Sequence, residues 1–363
     1  MCLWFKKKIR DVIPLNGASP LSTDKEYNAG QQKIKNEQTK MSSAKTPALL
    51  VLRGKRMQAI KIKAPATVAN LVCGFDILGL CLEEPYDIME LTLLEQKRVI
   101  IHSADGYDLP RDPQQNTAGA PLLEMLKNVT ENIGFEVTIH KNIKPGSGLG
   151  SSAASAAGAV VAANHLLGNR FSKEELVGFA MFGEKVASGV KHADNVAPCI
   201  MGGVTLIRSI FPLDIVPISA PPLFITVVHP QIEVKTADAR QILRKEVLLK
   251  DAIRQWGNIA GLVAGLLNAD YALISRSLED VIIEPVRRVL IPGFDVIKKS
   301  CMEAGALGGG ISGSGPSLFM LSKDRETAKE VESIMKDVYT KMSLEHKTFV
   351  TTLNIGGCSI LES

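Results

Sequence analysis

Apolar and polar positions alternate from Gln58 to Lys63 (QAIKIK), the period-2 pattern of a half-buried strand, and Pro65 is expected to end it. The same period recurs in FEVTIHKNI at 135–143, where Phe135, Val137 and Ile139 share a face; IMELTLLEQKRVII at 88–101 reads as two strands joined by a charged turn. PRDPQQN at 110–116 is a turn-rich connection into a helix over 117–131. From Ser151 to Leu166 the pattern changes: SSAASAAGAVVAANHL consists of small residues and helix formers, so the strand is followed by a loop and then a helix able to pack very close to its neighbours. A capping box, Ser172 with Glu175 three residues on, opens the next helix, whose apolar face carries Leu176, Ala180, Gly183 and Ala187. Glu184 falls on that stripe, where a carboxylate is costly to bury unpaired.

A Pro-rich stretch at 211–222 (FPLDIVPISAPP) marks the expected boundary between two halves. Beyond it, PLFITVVHP is a buried-type strand, 236–249 and 251–267 read as helices, and ALGGGISGSGPSLFMLS at 306–322 is a glycine loop feeding a strand. Strands and helices are mixed without a regular βαβ rhythm and without internal repeats, so the expected class is α+β with layered sheets, in halves at 57–215 and 216–363. A length of 363 residues supports the division, because single cores stop growing at about 250–300 residues.

Charge alters the picture at one end. Residues 1–56 hold 12 of the 42 Lys+Arg and 4 of the 38 Asp+Glu, which leaves the rest of the chain slightly acidic at 30 basic against 34 acidic residues. Rich in Lys, Gln, Asn and Ser, this segment is read as a disordered basic extension, with Met57 as an alternative start. It lacks the interleaved aromatics and motifs of a nucleic-acid arm, and no nucleic-acid partner is expected. The six cysteines are far apart with no CxxC, which points to reduced thiols and a cytoplasmic protein. No apolar run approaches the roughly 20 residues of a membrane span, and MCLWFKKKIR has no signal-peptide core.

The candidate chemistry centres on PGSGLGSS at 145–152. It has the glycines of a phosphate loop without the Walker lysine. Glycines at 146, 148 and 150 let the backbone approach a ligand closely, and a helix starting at Ser151 offers unpaired N–H groups to an anion; a tight strand-to-helix turn explains the same residues. A triphosphate carries about four negative charges against about half an elementary charge at a helix terminus, so a metal is required, and Ser151, Ser152 and Glu184 offer Mg²⁺ hard oxygen ligands. KHADNVAP (191–198) concentrates His192, Asp194 and Asn195, PATVANLVCGFDILG (65–79) sets Asn70 and Asp76 in an otherwise apolar loop, and Arg240 with Arg287–Arg288 suits a carboxylate clamp; turn chemistry and surface charge remain the plainer readings.

Taken together these segments resemble one family, the small-molecule kinases named for galactokinase, homoserine, mevalonate and phosphomevalonate. PGSGLGSSAAS is similar to its ATP loop and GGGISGSGPS to its third motif, while PATVANLVCGFDILGL, HADNVAP and EPVRRVLIPGF resemble its homoserine branch; the likeness covers about residues 57–360, in order. The resemblance implies two α+β halves, the first similar to ribosomal protein S5 domain 2 and the second an α/β sandwich, with ATP between them. It implies ATP- and Mg²⁺-dependent phosphorylation of the L-homoserine hydroxyl to O-phospho-L-homoserine in threonine biosynthesis, by a cytoplasmic homodimer with no membrane partner. A sibling kinase acting on a mevalonate-like alcohol is the alternative.

The implied phosphate contacts are Lys144, Pro145, Gly146, Ser147, Gly148, Leu149, Gly150, Ser151, Ser152, Ala153 and Ala154, with Asn116 near the adenine and Ser152 and Glu184 on Mg²⁺. For L-homoserine they are Asn70, Asp76, His192, Arg240 and Arg287, the arginines on the carboxylate and Asp76 towards the ammonium; Arg288 leaves the second arginine open between neighbours. Thr236 matches a threonine near the transferred phosphoryl group. Relatives such as mevalonate kinase carry an aspartate base eleven residues after the magnesium glutamate; here that position is Asn195, an amide that orients the hydroxyl without taking its proton.

Overall fold

The alternation that opens the folded region forms β1 (Ala59–Ala69), which runs through Pro65 instead of stopping there. Pro65 lies opposite Tyr86 of β2 (Leu78–Leu94), beside a register shift, where a missing N–H is tolerated. The computed structural model describes residues 59–104, 107–234 and 236–362, so the expected basic extension at 1–56 lies outside the described residues. β2 begins ten residues before the 88–101 pattern, because its first residues, LGLCL, are buried on both faces and carry no alternation. β3 (Val99–Ser103), α1 (Gly119–Lys127), β4 (Gly134–His140), α2 (Ser151–Leu166), α3 (Lys173–Ser188) and α4 (Val196–Met201) follow. The Pro-rich stretch is not bare linker: β5 (Val204–Ile210) and β6 (Leu213–Ile218) pair antiparallel across it.

β7 (Phe224–Pro230) opens the second sheet, followed by α5 (Thr236–Gln241) and α6 (Leu249–Leu267). The helix expected over 236–249 stops at Gln241. Ile242, Val247 and Leu248 are exposed, and a short helix without a surface to pack on is marginal. α7 (Tyr271–Ser277), α8 (Glu284–Arg287), α9 (Phe294–Glu303), β8 (Gly308–Ile311), β9 (Leu318–Ser322), α10 (Arg325–Lys341), β10 (His346–Thr352) and β11 (Ser359–Glu362) complete the chain.

The described residues form one compact unit built on two sheets, the layered α+β arrangement expected from the pattern. The first runs β11-β1-β2-β4-β3, with β5 on the opening residues of β2 and β6 beside β5; β3 and β4 are parallel, the remaining pairs antiparallel. The second is antiparallel, β10-β7-β9-β8. α2 lies on β1 and β2 at very short range: a methyl at Gly158 would come within 2.4 Å of Met89 Cγ and 2.9 Å of Ala64 Cβ. α9 and α10 cover the second sheet through Ile297, Cys301, Val331, Met335 and Tyr339. The capping box of α3 forms as expected, Ser172 Oγ accepting from Glu175 N–H and Glu175 from Ser172 N–H. The five described cysteines are free thiols, and no helix among the described residues is long and apolar enough to cross a membrane.

Candidate active site

Between β4 and α2 the chain forms the glycine loop, held from three sides. Thr67 N–H of β1 donates to Leu149 O (3.2 Å), Ser312 Oγ to Gly148 O (2.7 Å) and Ser317 N–H to Ser147 O (3.2 Å), so the second glycine loop braces the first. Gly148 (φ +82°) leaves no room for a Cβ, which would lie 2.6 Å from the Ser312 and Gly315 carbonyl oxygens. Gly150 (φ +67°), the N-cap of α2, would place one 2.1 Å from Thr67 Oγ1. Ser151 and Ser152, in the first turn of α2, therefore line a cavity of about 330 Å³ with the positive end of the helix dipole behind them.

Beneath that helix start lies a residue absent from the implied site. Lys141 is buried, pairs with Asp87 of β2, and donates to Ser151 O (2.8 Å) and Ser155 Oγ (3.1 Å). Asp87 Oδ1 accepts from the N–H groups of Asn142 (2.8 Å) and Ile143 (2.9 Å). Burial pushes the Asp87 carboxyl up and the Lys141 ammonium down, while their mutual attraction opposes both. The signal was present in the pattern: Lys141 continues the inward series Phe135, Val137, Ile139, and a lysine at an inward position needs a partner.

The facing wall is α3. Glu184 is 3% exposed and its Oε1 accepts from Ser152 Oγ at 2.7 Å. Burial raises its carboxyl, against His192 and the Ser152 hydroxyl, which favour the charge. A buried, hydroxyl-bonded carboxylate beside an anion-binding helix start is a donor set that fits Mg²⁺. Among the described residues no group of three or more His, Cys, Asp or Glu could hold a metal, so phosphate oxygens and waters would have to complete the coordination.

His192 bridges two carboxylates, with Nδ1 3.0 Å from Asp194 Oδ1 and Nε2 3.5 Å from Glu184 Oε2. Burial works against the imidazolium, but the hydrogen bond and charge of Asp194, with Glu184 and Asp76, outweigh it and lift its pKa from 6.5 to about 9. The native state thus holds this proton more tightly than the unfolded chain, so its stabilisation is complete below pH 6.5 and is lost as pH rises through about 9. In Mg²⁺-free buffer, His192→Asn is expected to flatten the decline of Tm across that window; a decline of unchanged slope would contradict the assignment.

The third wall is a strained turn. Asn70, Leu71 and Val72 have φ of 72°, 43° and 65°, and a β-branched residue there costs on the order of 1–3 kcal/mol. Asn70 ties the turn down, Nδ2 donating to Gly313 O (2.9 Å) and Oδ1 accepting from Asp76 N–H (3.1 Å). Asp76 meets Arg240 of α5 in a two-point pair. Arg287 of α8 is 4% exposed, donating from Nε to Ala239 O (3.0 Å) and from Nη1 to Gly313 O (3.1 Å). Both guanidiniums lie over the Phe75 ring, at 5.6 and 4.9 Å. Arg288 is half exposed and pairs with Asp295, so of the two neighbours Arg287 faces the cavity.

Asn195 lines the same cavity; its Oδ1 accepts from Thr67 Oγ1 (2.7 Å), which leaves its N–H groups to a ligand. Pro145 and Gly146 line it too, as do Lys141 and Asp194, which the implied site omits. Ser147, Leu149, Ala153 and Ala154 are buried behind the loop, and Lys144 turns outward to Gln231 Oε1 (2.7 Å). Asn116 caps the entry to α1, donating to Pro110 O and accepting from Ala118 and Gly119 N–H; its neighbours Leu109 and Thr117 reach the cavity in its place. Thr236 begins α5, and its side chain lies outside the described residues.

Residues 119–203 match the model of the GHMP kinases N terminal domain and residues 262–341 that of the GHMP kinases C terminal domain. A helix start, glycine loop and second glycine loop closing one cavity between two sheets thus define a kinase of the GHMP class. Mevalonate kinase from L. major, in complex with R-mevalonate, shares the fold at 17% identity (TM-score 0.64, covering 84% of this chain and 98% of that one). Similarity is far higher to homoserine kinase from Chloroherpeton thalassium, 46% identical over 312 residues (82% of this chain, 98% of the relative), and to the crystal structure of homoserine kinase from Cytophaga hutchinsonii, 47% identical with TM-score 0.81 (85% and 99%). The chain belongs to the homoserine kinase family.

Proposed function

We propose that the protein transfers the γ-phosphoryl group of ATP to the side-chain hydroxyl of L-homoserine, giving ADP and O-phospho-L-homoserine for threonine synthesis. One observation carries the reading: a single cavity has an anion-binding helix start on one wall and, on another, one carboxylate and two guanidiniums, the charge complement of an α-amino acid zwitterion. The match to homoserine kinases over nearly their whole length supports it. In a coupled ADP-release assay, L-homoserine is expected to be turned over with a kcat/KM well above those for mevalonate and galactose; a preference for mevalonate would overturn the assignment.

The triphosphate would lie along residues 145–152, on the N–H groups opening α2, with Lys141 as a fixed cation behind them. Ser152 and Glu184 would hold Mg²⁺, which when bound neutralises the phosphate charge beyond the reach of a helix terminus. Asp76 would take the substrate ammonium and Arg240 with Arg287 its carboxylate, while His192, pinned by Asp194, would bond the substrate from a fixed orientation. Asn195, with its carbonyl oxygen committed to Thr67, would present N–H to the hydroxyl or the transferring phosphoryl oxygens. An amide takes no proton, so the hydroxyl proton would leave late, to an oxygen of the transferred phosphoryl group; a loose phosphoryl-transfer transition state tolerates the lack of a side-chain base because catalysis is mostly positioning. Asn195→Ala is therefore expected to lower kcat only roughly tenfold, the worth of one hydrogen bond. A collapse equal to that from loss of Glu184 would refute a purely orienting role.

A further inference from the structure

Asp76 and Arg240 are bonded to each other. Arg240 Nη2 lies 2.9 Å from Asp76 Oδ1 and Nη1 3.1 Å from Oδ2, so both carboxylate oxygens and both terminal nitrogens are engaged. Arg240 Nε is buried and has no hydrogen-bond partner. The pair lines the cavity, and its side chains are about one third exposed (33% and 35%), within reach of a solute. Arg287 is held in place beside the pair by its bonds to Ala239 O and Gly313 O.

Building on the function proposed above, we infer that the Asp76–Arg240 pair is the specificity latch of the site: it yields to a ligand that brings an ammonium and a carboxylate together, and resists one that brings either alone. A ligand with only a carboxylate draws Arg240 off Asp76 and leaves that acid unpaired, close to the ligand's own negative charge. A ligand with only an ammonium strands Arg240 beside Arg287, whose positive charge it already faces over the Phe75 ring. A zwitterion exchanges one pair within the protein for two pairs with the ligand, and no charge is left over. The internal pair thus mimics the substrate's two charged groups and sets a threshold that a singly charged alcohol does not meet.

The test separates the latch from simple attraction. Asp76→Asn removes the carboxylate charge, and asparagine suits the φ of +60° at this position, so the turn is retained. Calorimetric titration would measure 4-hydroxybutanoate, which lacks the amine, against wild type and Asp76→Asn, with ATP binding as the check on folding. Freed from its internal partner, Arg240 in the variant is expected to bind 4-hydroxybutanoate roughly tenfold tighter than in wild type, while L-homoserine binds more weakly. The mirror variant, Arg240→Gln, is expected to gain similarly for 2-amino-1,4-butanediol, which lacks the carboxylate. Simple relief of like-charge repulsion would give 4-hydroxybutanoate the same gain from Asp76→Asn with or without Arg240, whereas the latch requires Arg240 to be freed, so in an Arg240→Gln background Asp76→Asn is expected to give no gain. A gain from Asp76→Asn alone that is lost in that background supports the latch; no gain from Asp76→Asn alone, or an equal gain in both backgrounds, in variants that still bind ATP overturns it. Failure of wild type to bind or phosphorylate L-homoserine would instead overturn the function on which the latch rests.

Discussion

Glu184→Gln is expected to lower kcat by roughly 10³-fold or more while leaving the protein folded. The magnitude follows from what the carboxylate does in the proposed reaction: with Ser152 it supplies the protein's anionic ligand to Mg²⁺, and metal stabilisation of a transferring phosphoryl group is worth several kcal/mol, about 4 of which make 10³. Retention of the fold follows from burial. The Glu184 carboxyl is pushed up because it is 3% exposed, so the native state favours its neutral form and loses stability as the group ionises with rising pH. Glutamine keeps an oxygen for the Ser152 hydroxyl without that penalty. In metal-free buffer above neutral pH the variant should melt no lower than wild type. Adding Mg²⁺ with ADP should raise the Tm of wild type and leave the variant's nearly unchanged. A variant that keeps the Mg²⁺-dependent rise would show that Glu184 is not a metal ligand, whatever its activity.

The parts of this site that were legible in the sequence are those with local causes. Three glycines before a run of small residues specify a tight loop and a closely packed helix within about 20 positions, and both form as expected. Glu184 on an apolar stripe was visible as an anomaly because helix period alone places it inward. The pairing of Asp76 with Arg240, 164 positions away, has no local signature and depends on the second sheet unit meeting the strained turn. The choice between Arg287 and Arg288 was equally hidden: Asp280 accepts from the N–H groups of Ile282, Ile283 and Glu284, fixes the start of α8, and so turns Arg287 inward. Asn116, which the family resemblance puts near the adenine, spends its side chain on backbone groups at the entry to α1, next to the cavity-lining Thr117, a pairing that no local pattern announces. Pro65 misled because a proline is a strand terminator only where its N–H is needed, and the bulge removes that need.

Lys141→Met is expected to destabilise the protein by about 3–5 kcal/mol, the usual consequence of removing one partner from a fully buried ion pair. Asp87 would keep the N–H groups of Asn142 and Ile143 but lose the cation that offsets its burial, and Ser151 O and Ser155 Oγ would lose a donor at the point where α2 meets the glycine loop. Adding Asp87→Asn removes the stranded charge yet retains an amide oxygen for the same two N–H groups, so the double variant should recover a substantial part of the loss in urea unfolding. An apolar residue at 87 would not, because two buried N–H groups would go unpaired. Recovery of stability should not restore function, since the cation behind the phosphate loop is gone in both variants; the KM for ATP should stay raised in the double variant although its fold is repaired. Equal stability of single and double variants would mean that the loss comes from packing and not from an uncompensated Asp87. A normal KM for ATP in the repaired protein would remove Lys141 from the phosphate site and leave the dipole of α2 and the metal to offset the triphosphate charge at the glycine loop.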